Sequence, residues 1–467
     1  MAQYKLAGNF DPNKVFLINR SELDGRFDPI YYKMKNGLIK NFKFPLDKLG
    51  NSFFIKDGDH DKLPESAISD SINGRRYLRS QDLKANTIID ENPIYVNDEY
   101  FQCVKRCHIF PGDLLFSIMA SLGATAIVPD NYPICTANRA VGILRHKNNN
   151  KLFPEFVQAI FNTNIGLLLL ELEKRGAIQQ RLNLSDLGRI KLPTPNYNIQ
   201  KNIIQIYKHG VAQKQQKESE AKALLESIDI YLLKELGITL PEKTEVKAED
   251  MPTWMNPENL LVKNGRLFLT KFSEVGSGRF DPVNVLNIGR KSRSTIYENT
   301  TLKVIANIKK GQSITSSEII QGDYPVIAGG QSSPYSHNSY NNEANVITVS
   351  ASGAYSGFVW YHDYPIFASD CSVIYSKDET KFSTKYIFEV LKAKQNEIYL
   401  LQQGAGQPHV YSSDLAKLLI PIITKETQDK IVKHIDSIRI QSKSLQLEAI
   451  SILENAKKEV EQIILGE

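Results

Sequence analysis

The feature that most constrains this chain is that it contains itself twice. Residues 176–204 align without a gap on residues 404–432, at a constant offset of 228, and nine of the 29 positions are identical. Average residue usage would give roughly two. The identities are Gly176/Gly404, Ala177/Ala405, Gln179/Gln407, Ser185/Ser413, Asp186/Asp414, Leu187/Leu415, Pro193/Pro421, Gln200/Gln428 and Ile203/Ile431. Two further blocks recur in the same order. Gly25-Arg26-Phe27-Asp28-Pro29 returns as Gly278-Arg279-Phe280-Asp281-Pro282, and a strand–glycine turn–strand pattern from Asp113 (DLLFSIMASLGATAIVPDNYPI) returns from Asn345 (NVITVSASGAYSGFVWYHDYPI). A period above 200 residues means a duplicated domain, because stacked solenoid repeats run to 20–50 residues.

Each half reads as a strand-rich globular part followed by one long helix. Short β-branched and aromatic runs broken by Gly, Pro and Asn mark the strands: Thr87-Ile88-Ile89, Gly142-Ile143-Leu144, Tyr324 to Ile327, Val346 to Val349 and Gly357 to Trp360. Helical stretches are expected over Pro154–Lys174 and Thr384–Gln402. The long helices begin at the N-caps Asn196 and Thr424 and run without proline to about Leu236 and Leu465. Their apolar residues recur at helical spacing, and a stripe that long needs a partner. The matching helix of the other half is the obvious one, giving a coiled-coil-like pair. Gly237-Ile238 reads as a C-cap and Pro241–Thr253 as a polar linker. The resulting division is a globular part over 1–195, a helix over 196–239, a linker over 240–257, a second globular part over 258–423 and a second helix over 424–467.

Composition narrows the functional classes. With 57 Lys+Arg against 52 Asp+Glu the net charge is +5, and 42% of residues are hydrophobic, which excludes disorder as the main state. The longest apolar stretch, around Ile165 to Leu170, falls far short of the ~20 residues of a membrane span. The opening MAQYKLAGNF is not expected to be a secretory signal, and four Cys fit a reducing cytoplasm better than a disulfide scaffold. Residues 1–239 carry 32 basic and 26 acidic side chains, and the remainder 25 and 26, so the excess of positive charge lies in the first half.

Catalytic signatures are missing. There is no phosphate-binding Gly-x-x-x-x-Gly-Lys loop and no His-Glu-x-x-His, and Gly276-Ser277-Gly278 reads as a turn. Asp28-Pro29-Ile30-Tyr31 and Asn92-Pro93-Ile94-Tyr95 lack the second proline of the Asp/Asn-Pro-Pro-Tyr motif that holds an amine for methylation. Cys103, Cys107, His108 and Cys135 would make a Cys₃His zinc set, but no second close pair follows, and buried thiols are expected instead. Asp57, Asp59 and Asp61 read as a solvated loop.

The ordered, duplicated set of blocks resembles the specificity subunits of type I restriction-modification systems, over nearly the whole chain. Arg-Phe-Asp-Pro, GRRYLRSQDL (Gly74 to Leu83) and PGDLLFS (Pro111 to Ser117) look like one target-recognition domain. Lys310 to Gln331, Val346 to Val359 and Asp370 to Tyr375 look like a second. The resemblance implies an α/β fold: two target-recognition domains with twisted β-sheets, joined by two long antiparallel helices in a pseudo-twofold arrangement. It implies a sequence-specific DNA-binding subunit, cytoplasmic and not an enzyme, in which each domain reads one half of a bipartite asymmetric site. The helices would space the domains and dock two methyltransferase subunits and, for cleavage, two translocating nuclease subunits. No cofactor is expected in this chain, S-adenosylmethionine belonging to the methyltransferase partner. A chain of a type IIB or IIG restriction-methylation enzyme and a protein-only scaffold are the alternatives.

The side chains expected at DNA are Arg75, Arg76, Arg79, Lys105 and Arg106 in the first half, and Arg290, Lys291, Arg293, Gln331 and Ser332 in the second. Arg and Gln reach guanine and adenine edges bidentately, while Lys and Ser mostly hold phosphates. Gln200, Ile204, Gln428 and Val432, at the start of each long helix, are expected to meet the partner subunits.

Overall fold

The structure, a computed structural model, describes residues 17, 41–84, 86–119, 122–147, 151–174, 182–238, 293–404 and 406–466. The chain divides into two compact units, Met1–Glu218 with Leu447–Glu467, and Ser219–Gln446.

In the first unit four strands, β1 (Phe53–Asp57), β2 (Leu114–Ser117), β3 (Thr125–Ile127) and β4 (Val141–His146), form a sheet of order β1-β4-β2-β3 in which all neighbours are antiparallel. Successive side chains of a strand face opposite ways, and here both faces are covered. Leu114, Phe116 and Leu144 join one apolar cluster with Phe156, Ile160 and Phe161. Leu115, Val141 and Ile143 join another with Leu78, Leu83 and Ile109. That double burial is why Leu114-Leu115-Phe116 reads as an unbroken apolar run rather than an alternation. The second cluster lies under a smaller mixed sheet, in which Thr136–Ala137 runs parallel to Arg75–Leu78.

The second unit repeats the plan. Strands β5 (Ala306–Lys310), β6 (Val346–Ser350), β7 (Val359–His362) and β8 (Cys371–Ser376) take the order β5-β8-β6-β7, again all antiparallel. Ile347, Val349 and Ile374 enter one cluster, and Val346, Cys371 and Val373 the other. Phe367–Ala368 runs parallel to Tyr324–Ile327 in the smaller sheet. Each globular part is closed by a two-stranded ribbon, Leu46–Lys48 with Lys191–Pro193 and Asn299–Thr301 with Leu419–Pro421.

The helical stretches ahead of the long helices are each broken once, where unbroken helices were expected. The first gives α1 (Pro154–Phe161) and α2 (Asn164–Glu173), because Thr163 caps the second piece by accepting from Gly166 N at 3.2 Å. The long helix α3 (Tyr197–Glu235) follows. The second stretch gives α4 (Thr384–Ala393) and α5 (Gln395–Tyr399), ahead of the long helix α6 (Lys425–Leu465). Its break falls at Lys394, whose buried ammonium donates to Leu419 O at 2.8 Å.

Asn196 and Thr424 cap the long helices, accepting from Ile199 N at 3.1 Å and Thr427 N at 3.3 Å. At the end of α3, Gly237 adopts φ +56°, Ile238 N donates to Leu233 O at 2.8 Å and Gly237 N to Lys234 O at 3.1 Å, a Schellman cap. Within each unit the two long helices run antiparallel. In the first, Gly210 meets Ala456 so closely that a Cβ would lie 2.6 Å from the Ala456 Cβ. In the second, Ser442 Oγ donates to Ala221 O at 2.9 Å and the Tyr231 and His434 rings lie 4.3 Å apart.

Gln200 and Gln428 explain why their positions recur. Gln200 Oε1 accepts from Phe153 N at 3.1 Å, and its amide donates to the carbonyls of Lys151 and Pro195. Gln428 Oε1 accepts from Ser383 N at 2.9 Å, and its amide donates to the carbonyls of Lys381 and Ile423. Each fully buried amide thus ties the turn ahead of α1 or α4 to the start of α3 or α6. Gln428→Ala is expected to destabilise the chain by about 2–4 kcal/mol, because it strands a buried N–H and two carbonyls. Thermal melting checks this, and a loss under about 0.5 kcal/mol would contradict the clamp.

Candidate nucleic-acid interface

At one edge of the first unit three turns converge. They are the segment after β1, the segment after the Arg75–Leu78 strand, and the segment after Thr136–Ala137. They enclose a cleft of about 430 Å3 lined by Asp59, His60, Lys62, Tyr77, Arg79, Asn138 and Arg139, among others. The backbone holds them together: Gly58 N donates to Val141 O at 3.1 Å and Asp59 N to Ala137 O at 2.7 Å. The second unit has the same anchors, with Gly311 N donating to Cys371 O at 2.8 Å and Gln312 N to Ala368 O at 2.9 Å. By that correspondence the turn at Arg79 matches the turn through Gly329, Gly330 and Gln331, and the Asn138-Arg139 turn matches Ser369-Asp370. The framework is shared and the side chains on it differ.

The arginines of the first half have distinct roles. Arg76 is 4% exposed, and its guanidinium is spent inside the unit, on Asp90 at 2.8 Å, on Tyr77 O at 2.9 Å and beside Asp82 at 3.5 Å. It is a structural cation and cannot face DNA, which corrects the expectation for it. Strand geometry separates it from its neighbour: Arg75 points outward, with Asp98 at 3.0 Å as an exposed partner. Arg79 is held by Asp82 at 2.9 Å and Asn92 O at 2.7 Å at the cleft edge. Lys105 is exposed, and Arg106 reaches Asp57 at 3.1 Å.

Of the three aspartates expected in a solvated loop, Asp61 is exposed, while Asp57, at the end of β1, and Asp59 are held inside the unit. Asp57 is buried and binds Arg106 and His60, and Asp59 accepts from the Tyr100 hydroxyl at 2.6 Å. Burial, with that bond, pushes the Tyr100 hydroxyl well above the usual phenol range.

In the second half Arg293, Gln331 and Ser332 are exposed, and Arg290 and Lys291 lie outside the described residues. The residues that sequence reasoning missed are Lys62, Asn138 and Arg139. Lys62 and Arg139 are exposed cations at the cleft, and among the described residues no carboxylate pairs with either. The usable signal was the position of Asn138-Arg139 just ahead of β4, in register with Ser369-Asp370 ahead of β8.

The clamps remove Gln200 and Gln428 from the partner-facing set, since both side chains are buried and fully engaged within their own units. Ile204 and Val432 are half-buried and pack on the core of their own unit. Apart from Tyr197 at the start of α3, the exposed apolar residues of the long helices lie further along them: Leu225 and Ile230 on α3, and Ile440, Leu447 and Ile450 on α6.

The four cysteines are separate thiols, and burial pushes Cys135 and Cys371 up to about 12. His108 stacks on Phe101 and bonds to its carbonyl oxygen at 2.8 Å. Among the described residues no group of His, Cys, Asp and Glu is arranged to hold a metal ion, and no helix is long and apolar enough to cross a membrane.

A sheet module built twice, ending each time in a polar tip of altered composition, defines a recognition protein with two reading elements. Residues 67–226 and 296–454 each match the type I restriction modification DNA specificity domain, together more than half of the chain, and the chain belongs to that family. Its function is DNA recognition in a type I restriction-modification system. One solved structure agrees in fold. The chain is 14% identical to a chain from a study of complex assembly and conformational transition in the type I R-M system, covering 91% of this chain and 98% of that one at a TM-score of 0.51. It is also similar to the type I restriction-modification S subunit of M. genitalium, at 14% identity, 91% and 96% coverage and a TM-score of 0.44. The HsdS subunit of Thermoanaerobacter tengcongensis gives 14%, 91%, 97% and 0.38. No curated protein sequence matches the chain.

Proposed function

We propose that each unit reads one half of a bipartite, asymmetric DNA site through its converging turns. We propose too that the long helices set the distance between the halves and dock two methyltransferase subunits, which carry the S-adenosylmethionine and the chemistry. In this reading the chain itself is non-catalytic, and nuclease subunits join the same assembly for cleavage. The supporting observation is the shared frame with exchanged side chains: Lys62, Arg79, Asn138 and Arg139 on one tip, Gln312, Gln331, Ser332 and Asp370 on the other. Arg pairs with guanine, and Asn or Gln with adenine, through two hydrogen bonds each, while Lys neutralises phosphate. Different readers on one scaffold require half-sites that differ. The exposed apolar residues of α3 and α6 named above are the proposed docking positions.

Within the methyltransferase complex, Arg139→Ala should weaken binding by about 10- to 100-fold and relax the motif in one half only. Gln331→Ala should relax only the other half. Lys62→Ala should weaken all sites alike and lower the salt slope by about one. Titrated gel shifts on defined duplexes, with methylome sequencing for the motif, check all three. An unchanged motif in both single variants would mean that these turns do not read bases.

A further inference from the structure

The two clamps fix which residues correspond. Gln200 and Gln428 place α3 against α6 at an offset of 228, while Phe153 N and Ser383 N, the amides they hold, place α1 against α4 at 230. Under that register Glu155 corresponds to Lys385, and Lys208 to Asp436. Both pairs are formed: Lys208 Nζ lies 3.5 Å from Glu155, and Lys385 Nζ 2.7 Å from Asp436. The contact sits at the same place in each unit, between the short helix of the globular part and the first turns of its long helix, with the signs exchanged.

A second difference lies one turn further on. Arg439 donates to both oxygens of Glu389, at 2.5 and 2.7 Å, and the Glu389 side chain is 1% exposed. The corresponding residues of the first unit are Val211 and Ala159, which belong to one apolar cluster. Asp229 of α3 and Lys392 of α4 lie within electrostatic reach of the Arg439–Glu389 pair and extend the charged patch.

We infer that the units carry mutually exclusive pairing keys, so that each globular part accepts its own long helix and rejects the other. The first globular part set on α6 would bring Glu155 to Asp436 and leave Arg439 facing Ala159. The second set on α3 would bring Lys385 to Lys208 and leave the buried Glu389 facing Val211. Like charges in contact and a buried carboxylate without a cation both oppose such pairings, and specificity is often built from that kind of repulsion. The key goes beyond DNA reading. It ties each DNA-reading part to the long helix of its own half, so a part moved between the two positions of this chain meets the wrong partner charges.

The test converts the second key into the first within the full chain. Asp436→Lys with Arg439→Val changes the helix side alone, and Lys385→Glu with Glu389→Ala changes the globular side alone. The helix-side variant should lower the melting temperature of the second unit by on the order of 10 °C, because it strands the buried Glu389. The globular-side variant should lose less, since Arg439 is one-third exposed and reaches water. The variant with all four changes should melt within a few degrees of the parent, because an apolar pair replaces a buried ion pair at little cost. If the partial variants fail to accumulate while the fourfold variant does, the key is supported in a harsher form. A fourfold variant no better than the sum of its halves overturns it, as do partial variants that melt like the parent and failure of all three to accumulate.

Discussion

Exchanging residues 299–421 for the corresponding segment of another family member should change one half of the methylated motif and leave the other half intact. The ends fall at the Asn299–Thr301 and Leu419–Pro421 ribbon, which closes the globular part beside α6. Everything outside it is kept, including Ile431 and Ile435 of α6 and Ile228 and Leu232 of α3, which complete the core of the second unit. A graft therefore has to present the residues that fit that surface, above all a cation at position 385 and a carboxylate at 389 to meet Asp436 and Arg439. Grafts with that pair should accumulate as soluble protein, and those with the opposite key should not. The expected effect on recognition is large. Each mismatched base pair costs about 1–3 kcal/mol, so a half-site of three or four bases is discriminated by several orders of magnitude. Methylome sequencing of cells producing the chimaera with its methyltransferase reads the outcome directly. Motif changes in both halves would show that the two units do not read independently.

What was legible in the sequence was what depends on local chemistry. The duplication survives because Gln200 and Gln428, Pro193 and Pro421, and Asp186 and Asp414 are framework residues whose partners are backbone groups or neighbours in the same motif. The long helices are legible because capping and the absence of proline are local properties. What was hidden depends on distant contacts. Lys394 is compositionally a surface residue, and the carbonyl of Leu419, 25 residues away, is a distant contact that helps make it a buried helix break. Arg139 belongs to no cluster in sequence and reaches Arg79 only because Thr136–Ala137 pairs with Tyr77–Leu78. Arg76 was misread for another reason. Adjacent Arg75 and Arg76 read as two surface cations, although the period of a strand puts adjacent residues on opposite faces. Gln200 and Gln428 recur at the start of each long helix, where partner contact is expected, and what they hold there is the chain's own backbone.

A paired extension of the long helices should lengthen the gap between the half-sites without changing the bases read. The two insertions have to enter at the same level. Ala449 is the repeat equivalent of Ala221, but the helices are antiparallel, and the residue that touches Ala221 is Ser442. Insertions therefore belong after Ala221 in α3 and after Ser442 in α6. Their length is set by two periods at once. A helix advances ~1.5 Å and turns ~100° per residue, while DNA advances ~3.4 Å per step and completes a turn in about 10–10.5 base pairs. Seven residues keep the apolar stripe within about 20° of register. Their rise of roughly 10 Å matches about three base pairs, which carry about 100° of DNA rotation that the protein does not follow. Such a variant should assemble and bind poorly at every gap. Twenty-five residues give about seven helical turns and roughly 37 Å, close to eleven base pairs and just over one DNA turn, so both phases nearly close. That variant should methylate the same two half-sites at a gap about eleven base pairs longer. A three-residue insertion turns the stripe by about 60° and should abolish assembly. Methylome sequencing of the long variant decides the matter: an assembled, active complex that keeps the parental gap would show that the helices do not set the spacing.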